Sequence, residues 1–232
     1  MEPFAEPNPE SAEGKAVQGF CGSAQLKYIP FTERRSTSIR NEIFNNATAP
    51  YVISMDPHIL FEPDTIKKLI KFYEERPDTT DLYHGPMLYD IINKHDPAGR
   101  MDPVWRDNMY GIWECDSRAK DPDNPPFEID MHGLGVFSCA KEAWLGFNDL
   151  FKGFGGEEGY IHEKFRQAGR KTWCLPFFRW IHRFQRPRGL PYKNIIEERI
   201  RNYFIGFSEL KLDLKHLYLK KLQVLRLKIK IL

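Results

Sequence analysis

Residues 51–58 read YVISMDPH, a short apolar run that ends directly in a carboxylate, a proline and an imidazole. The run YVISM has the character of a buried strand in a parallel sheet, apolar at nearly every position rather than at every second one. In open α/β sheets ligands gather at the carboxyl ends of strands, so Asp56 and His58, two residues apart, are placed to hold a divalent cation. By itself an Asp-Pro-His segment is an ordinary turn. Its meaning depends on what surrounds it.

Upstream, residues 36–47 predict a helix with Ser36 as N-cap and Ile39, Ile43 and Ala47 on one stripe; before it come a strand at 26–29 and a short apolar helix pattern within KAVQGFCGSAQ. Downstream, Asp64 is placed to cap a helix whose Ile66, Leu69, Ile70 and Tyr73 follow i, i+3, i+4, i+7 spacing. DLYHGPMLYDI resumes as strand, and residues 94–127, rich in Pro, Asp, Asn and Trp, read as a long ordered loop. GLGVFSC and KTWCLPFF are further strands, separated by KEAWLGF and by a helix that runs to Gly169. Strands alternating with helices over residues 25–185 predict an α/β fold with a mixed, mostly parallel central sheet. From Asn194 onward the pattern is one or two helices, and LRLKIKIL at the end alternates strictly. The expected organisation is a main domain over residues 1–205 and a helical, amphipathic appendage over 206–232.

Composition narrows the function classes. Among 232 residues, 34 Lys and Arg nearly balance 32 Asp and Glu, so no global charge favours nucleic acid. The basic alternating tail is expected to pack as an appendage, with a membrane-surface patch as the less supported reading. Cys21, Cys115, Cys139 and Cys174 have no CxxC spacing, which fits reduced thiols and predicts a cytoplasmic setting. The acidic, proline-rich opening lacks the order of a signal peptide, and no apolar run approaches the ~20 residues that span a bilayer.

Three further groups of residues bear on chemistry. Trp180-Ile181-His182-Arg183 follows a strand, and His182 would complete a set of one carboxylate and two imidazoles with Asp56 and His58. Arg40 and Asn41 lie in the helix before the Asp56 strand, where a guanidinium can reach a diphosphate or orient the Asp56 carboxylate. In FKGFGGEEGYIHEKF, residues 151–165, glycines 153, 155 and 156 leave room for a ligand at the backbone. Glu157 and Glu158 there occupy the positive end of a helix anchored by Ile161 and Phe165. A carboxylate at that position can accept a proton from a hydroxyl nucleophile.

The order of these elements, over about residues 25–205, resembles the GT-A fold nucleotide-sugar glycosyltransferases, particularly family-two-like enzymes. The Asp-x-His turn is similar to that of the polypeptide N-acetylgalactosaminyltransferases, and the Gly-Gly-Glu segment to that of inverting galactosyltransferases. The resemblance implies that Asp56, His58 and His182 hold manganese or magnesium against the donor diphosphate. It implies that Gly133 and Gly135 border the donor sugar, that Glu157 holds sugar hydroxyls, and that Glu158 deprotonates the acceptor hydroxyl. Arg40, Asn41, Gly155 and Gly156 join the donor site in this reading, and Trp105 and Trp113 are stacking platforms for an acceptor saccharide. The expected partners are a nucleotide sugar, with UDP as the expected nucleotide, and a saccharide or other hydroxyl acceptor.

Two departures from the family pattern shape the expectation. The apolar strand that normally opens the nucleotide-base pocket has no counterpart in MEPFA, although PNPES resembles a loop that would follow such a strand. Either an upstream segment is missing or another part of the chain, such as LRLKIKIL, adds to the sheet edge. Glu158 stands where inverting members more often have Asp and retaining members Asn, which favours inversion. A catalytically silent sugar-binding module on the same fold is the alternative function, and a pyrophosphorylase-like nucleotidyl transfer lacks its glycine-rich and lysine signatures.

Overall fold

The computed structural model of the chain describes residues 10–23, 26–31, 37–90, 96–184 and 195–219. Its helices are α1 Ala12–Ser23, α2 Arg40–Asn46, α3 Thr65–Glu74, α4 Glu157–Gln167 and α5 Ile196–Glu209. Its strands are β1 Tyr51–Met55, β2 Ile59–Phe61, β3 Leu82–His84, β4 Met87–Tyr89, β5 Ala98–Arg106, β6 Met109–Cys115, β7 Phe127–Glu128, β8 Val136–Ala140, β9 Thr172–Cys174 and β10 Trp180–His182. They form two five-stranded sheets, in the orders β1-β8-β3-β9-β7 and β2-β10-β4-β5-β6.

The sheets are mixed. The pairs β3–β9 and β4–β10 are parallel, while β1 pairs antiparallel with β8 and is the outer strand among the described residues. YVISM therefore forms a strand but not a parallel one: an apolar run reports burial on two faces and says nothing of its partner's direction. The two faces are visible in its alternation. Val52 joins the cluster of Leu82, Phe137, Phe151, Ile161 and Phe165, and Tyr51 and Ile53 pack on the other side with Leu69, Tyr73, Phe178 and Trp180. Burying each such large side chain contributes ~1.5–3 kcal/mol.

DLYHGPMLYDI divides into β3 and β4, one in each sheet, because the chain crosses between sheets at Gly85-Pro86. KTWCLPFF holds only β9, and the chain then crosses to the other sheet, where β10 begins at Trp180. The two crossings lie against each other: Leu175 N–H donates to His84 O at 2.8 Å, and Trp180 Nε1 donates to Gly85 O at 2.7 Å. A side chain at residue 85 has no room here, since a Cβ would stand 1.7 Å from Phe178 O.

Several local expectations change. Residues 26–29 form no strand, and Leu26 and Ile29 are exposed. In α2 the buried residues are Arg40 and Phe44, with Ile39 and Ile43 on the outside. Asp64 precedes α3 in a left-handed conformation (φ 60°) and makes no side-chain cap bond. On α3, Leu69, Phe72 and Tyr73 are buried, whereas Ile66 and Ile70 face an apolar groove of about 250 Å³ shared with Tyr51 and Ile53. The long loop is largely the β5–β6 hairpin, turned at Asp107-Asn108 with Asp107 at φ 54°, and Pro103 sits at an irregularity of its pairing.

The boundary expected at 205/206 falls within α5, and Leu210 and Leu217 beyond it are buried. Ser36, the lead 1–9 and LRLKIKIL lie outside the described residues. No described helix is long and apolar enough to cross a membrane.

Candidate active site

Strand register assembles the first part of the site. Asp56 and His58 occupy the turn from β1 to β2, and β2 pairs antiparallel with β10 so that Ile59 lies opposite His182. His58, one residue earlier, thus meets His182 at the same strand ends, its Nε2 2.9 Å from the Nε2 of His182, with the rings edge to face. Arg183 N–H closes the turn by donating to His58 O at 3.2 Å. Asp56 Oδ2 is 4.0 Å from His58 Nε2. Ligand atoms of Asp56, His58 and His182 all lie within 4.8 Å of one another, and no other such group occurs among the described residues.

Arg40 orients the carboxylate. Buried in α2, it donates through Nη2 to Asp56 Oδ1 at 2.7 Å and to Leu134 O at 2.9 Å, while Asp56 N–H donates to Gly135 O at 2.9 Å. One oxygen of Asp56 is held by the guanidinium and the other faces the imidazoles. Charge-assisted bonds of this length fix a carboxylate firmly.

The second part is the start of α4. Glu157 is fully buried: Oε1 accepts from Gly155 N–H at 3.2 Å, and Oε2 is buried with no bonding partner among the described residues. Glu158 remains partly accessible, and its carboxyl is pushed up to about 7 by burial and by the charge of Glu157, against the pull of Arg40 and Arg199. Arg40 thus bonds Asp56 directly, and its charge also favours the ionised form of the Glu158 carboxyl.

Other expected residues have different surroundings. The Asn41 amide is engaged elsewhere: Oδ1 accepts from Trp144 Nε1 and Phe147 N–H, and Nδ2 donates to Phe147 O, so it pins the 144–147 segment and does not face the Asp56 turn. Trp105 is committed to packing, stacked on His216 at 4.5 Å and on edge to Tyr203 at 4.7 Å. Trp113 does reach the site's border, its ring over Gly133 and edge to face with His132. The openings left by Gly155 and Gly156, both at φ 102°, are filled by Arg199 and Asn202 of α5 and not left for a ligand.

Gly133 and Gly135 likewise make room for tryptophan. A Cβ at Gly133 would lie 2.3 Å from the Trp113 ring, and one at Gly135 3.0 Å from Trp180. Gly133→Ala is expected to lower stability by ~1–3 kcal/mol through overpacking against a rigid indole, read as a drop in the thermal midpoint.

Sequence reading passed over Arg199, Asn202 and a set of buried histidines. Asn202 ties down the 152–155 segment, accepting from Lys152 N–H and donating to Lys152 O and Gly155 O. Arg199 and Asn202 share a face with Tyr203 and Gly206, and that spacing was the available signal. His84, His132 and His162 are almost wholly buried and clustered. Burial pushes His132 down to about 4 and His162 to about 3, so these rings are neutral near pH 7.

Fold and site define a class: a mixed α/β domain of the GT-A type, with a carboxylate and two imidazoles at its strand ends. Residues 14–96 match the family model described as Glycosyl transferase family 2, a span that includes α2, β1 and the Asp56 turn. The fold is similar to that in the crystal structure of GalNAc-T7 with UDP, GalNAc and Mn2+, with a TM-score of 0.66 and 16% identity over 87% of this chain and 40% of that chain. The chain thus spans less than half the length of that protein. No curated protein matches it. The fold is thus of GT-A architecture, and residues 14–96 within it are similar to Glycosyl transferase family 2.

Proposed function

We propose that this chain moves a hexose from a nucleoside-diphosphate sugar, UDP-linked, to a hydroxyl of a saccharide or similar acceptor, with inversion and with the help of a divalent cation. The observation that supports this most is the convergence of Asp56, His58 and His182 at the strand ends, with Arg40 holding the Asp56 carboxylate in place. Three inward-facing donors suit a cation that keeps its remaining positions for water and phosphate oxygens. The two imidazoles favour Mn2+ over the all-oxygen preference of Mg2+. GalNAc-T7, of similar fold, was crystallised with UDP and Mn2+.

Bound there, the cation supplies Lewis-acid neutralisation of the departing diphosphate. The remaining work falls to side chains. Glu158 takes the proton of the acceptor hydroxyl as its oxygen bonds to the anomeric carbon and the bond from that carbon to phosphate oxygen breaks. A carboxyl titrating at about 7 is a better base near neutrality than an ordinary glutamate. Glu157 offers its unbonded, buried Oε2 to a sugar hydroxyl, which suits a holding role better than a proton-transfer role.

Calorimetric titration with UDP, with and without Mn2+, tests the reading. Binding is expected only with the cation. UDP binding that ignores Mn2+, or no UDP binding alongside saccharide binding, would instead favour a silent sugar-binding module.

A further inference from the structure

The two parts of the site lie on elements far apart in sequence, and the structure joins them through one buried ring. His162 lies one turn into α4, where its Nδ1 is 2.5 Å from Glu158 O. A carbonyl only accepts, so Nδ1 carries the ring proton and Nε2 presents a lone pair. His132 N–H donates to that lone pair from 3.2 Å, and the Nε2 of His84, 2.9 Å away, is a second donor to it with the His84 proton on Nε2 rather than on Nδ1, which lies 3.2 Å from Val136 O. His132 opens the segment whose next carbonyls hold the other half of the site: Leu134 O accepts from Arg40 and Gly135 O from Asp56 N–H. A continuous path therefore runs from the Glu158 backbone through His162 and residues 132–135 to Asp56.

We infer that His162 is a positioning residue: it ties the start of α4 to the 132–135 segment and so sets the placement of Glu158 relative to the Asp56–His58–His182 group. This rests on the reading of Glu158 as the base. His162 touches neither donor nor acceptor in that scheme, so its loss should affect turnover and not donor binding. A 1 Å misplacement of a catalytic group is enough to cost about 100-fold in rate. A ring of the same size without nitrogens would fill the space and leave His132 N–H unpaired, whereas glutamine would bring an amide oxygen near the position of Nε2.

The test compares wild type, His162→Phe and His162→Gln in two measurements. In transfer assays, His162→Phe is expected to lower kcat at least ~10-fold while Mn2+-dependent UDP affinity stays within about twofold. His162→Gln should recover most of that loss. In amide hydrogen exchange, His132 should lose protection in the Phe variant and keep it in the Gln variant, with the amides of β8 unchanged in both. Unchanged kcat in a folded Phe variant would overturn the inference, as would loss of kcat, UDP affinity and β8 protection together, which marks a general packing role. Should the Phe variant not fold, rapid exchange of His132 in wild type, or a Gln variant no better than His162→Ala, overturns it. If wild type transfers no sugar, the proposed reaction fails by itself, and the exchange data still decide whether the tether exists.

Discussion

Asp56→Ala is expected to weaken Mn2+-dependent UDP binding by ~100-fold or more and to bring sugar transfer to background. Two losses combine. The substitution removes the one anionic donor of the three-residue group, and it leaves the Arg40 guanidinium, almost wholly buried, without its charged partner. Stranding a buried cation is costly, though Asp56 is itself 32% exposed at its side chain and water relieves part of the penalty. Asp56→Asn separates the effects. An amide oxygen still accepts from Arg40, so the thermal midpoint should stay near that of wild type while the cation-dependent UDP binding is lost. An Asn variant that binds UDP and Mn2+ as wild type does would remove Asp56 from the proposed ligand set.

Glu158→Gln is expected to lower kcat by ~100-fold or more with donor binding intact. The pH dependence follows from the same carboxyl. A base works when deprotonated, so wild-type kcat/KM should rise with pH through about 7 and fall below it, and the variant should lose that acid limb. Stability moves the other way. The folded carboxyl titrates at about 7, above its ordinary 4.5, so its contribution to stability is full below 4.5 and is lost as pH rises through 7. Glutamine is never charged, so at pH 8 the variant should be the more stable protein, by ~1–2 kcal/mol after allowing for the partial exposure of Glu158. A variant with wild-type turnover, or with an unchanged acid limb, would take the base role from this residue.

These two residues were legible in the sequence because their chemistry is local. Asp56 and His58 follow an apolar strand, and two acids after two glycines mark a helix start. Where the reading failed, the cause was a partner distant in the chain. Trp105 reads as a stacking platform for a saccharide, whereas its ring stacks on His216 and meets the edge of Tyr203. Gly155 and Gly156 looked like space for a ligand, and that space belongs to Arg199 and Asn202 of α5. Asn41 looked equivalent to its neighbour Arg40, yet one residue along a helix turns a side chain by ~100°, toward the 144–147 segment instead of Asp56.

By itself the sequence determined the alternation of strands and helices, the position of the Asp56 turn and the charge of the start of α4, because apolar periodicity and turn chemistry act over a few residues. Only the tertiary structure decided that β1 pairs antiparallel, that β3 and β4 belong to different sheets, and that His182 meets His58 across the β2–β10 register. The same holds for the tether of His162 to His132, which no local pattern announces. Strand partners and buried polar contacts arise from packing between segments tens of residues apart, where the energy depends on which surfaces meet and not on what either segment would do alone.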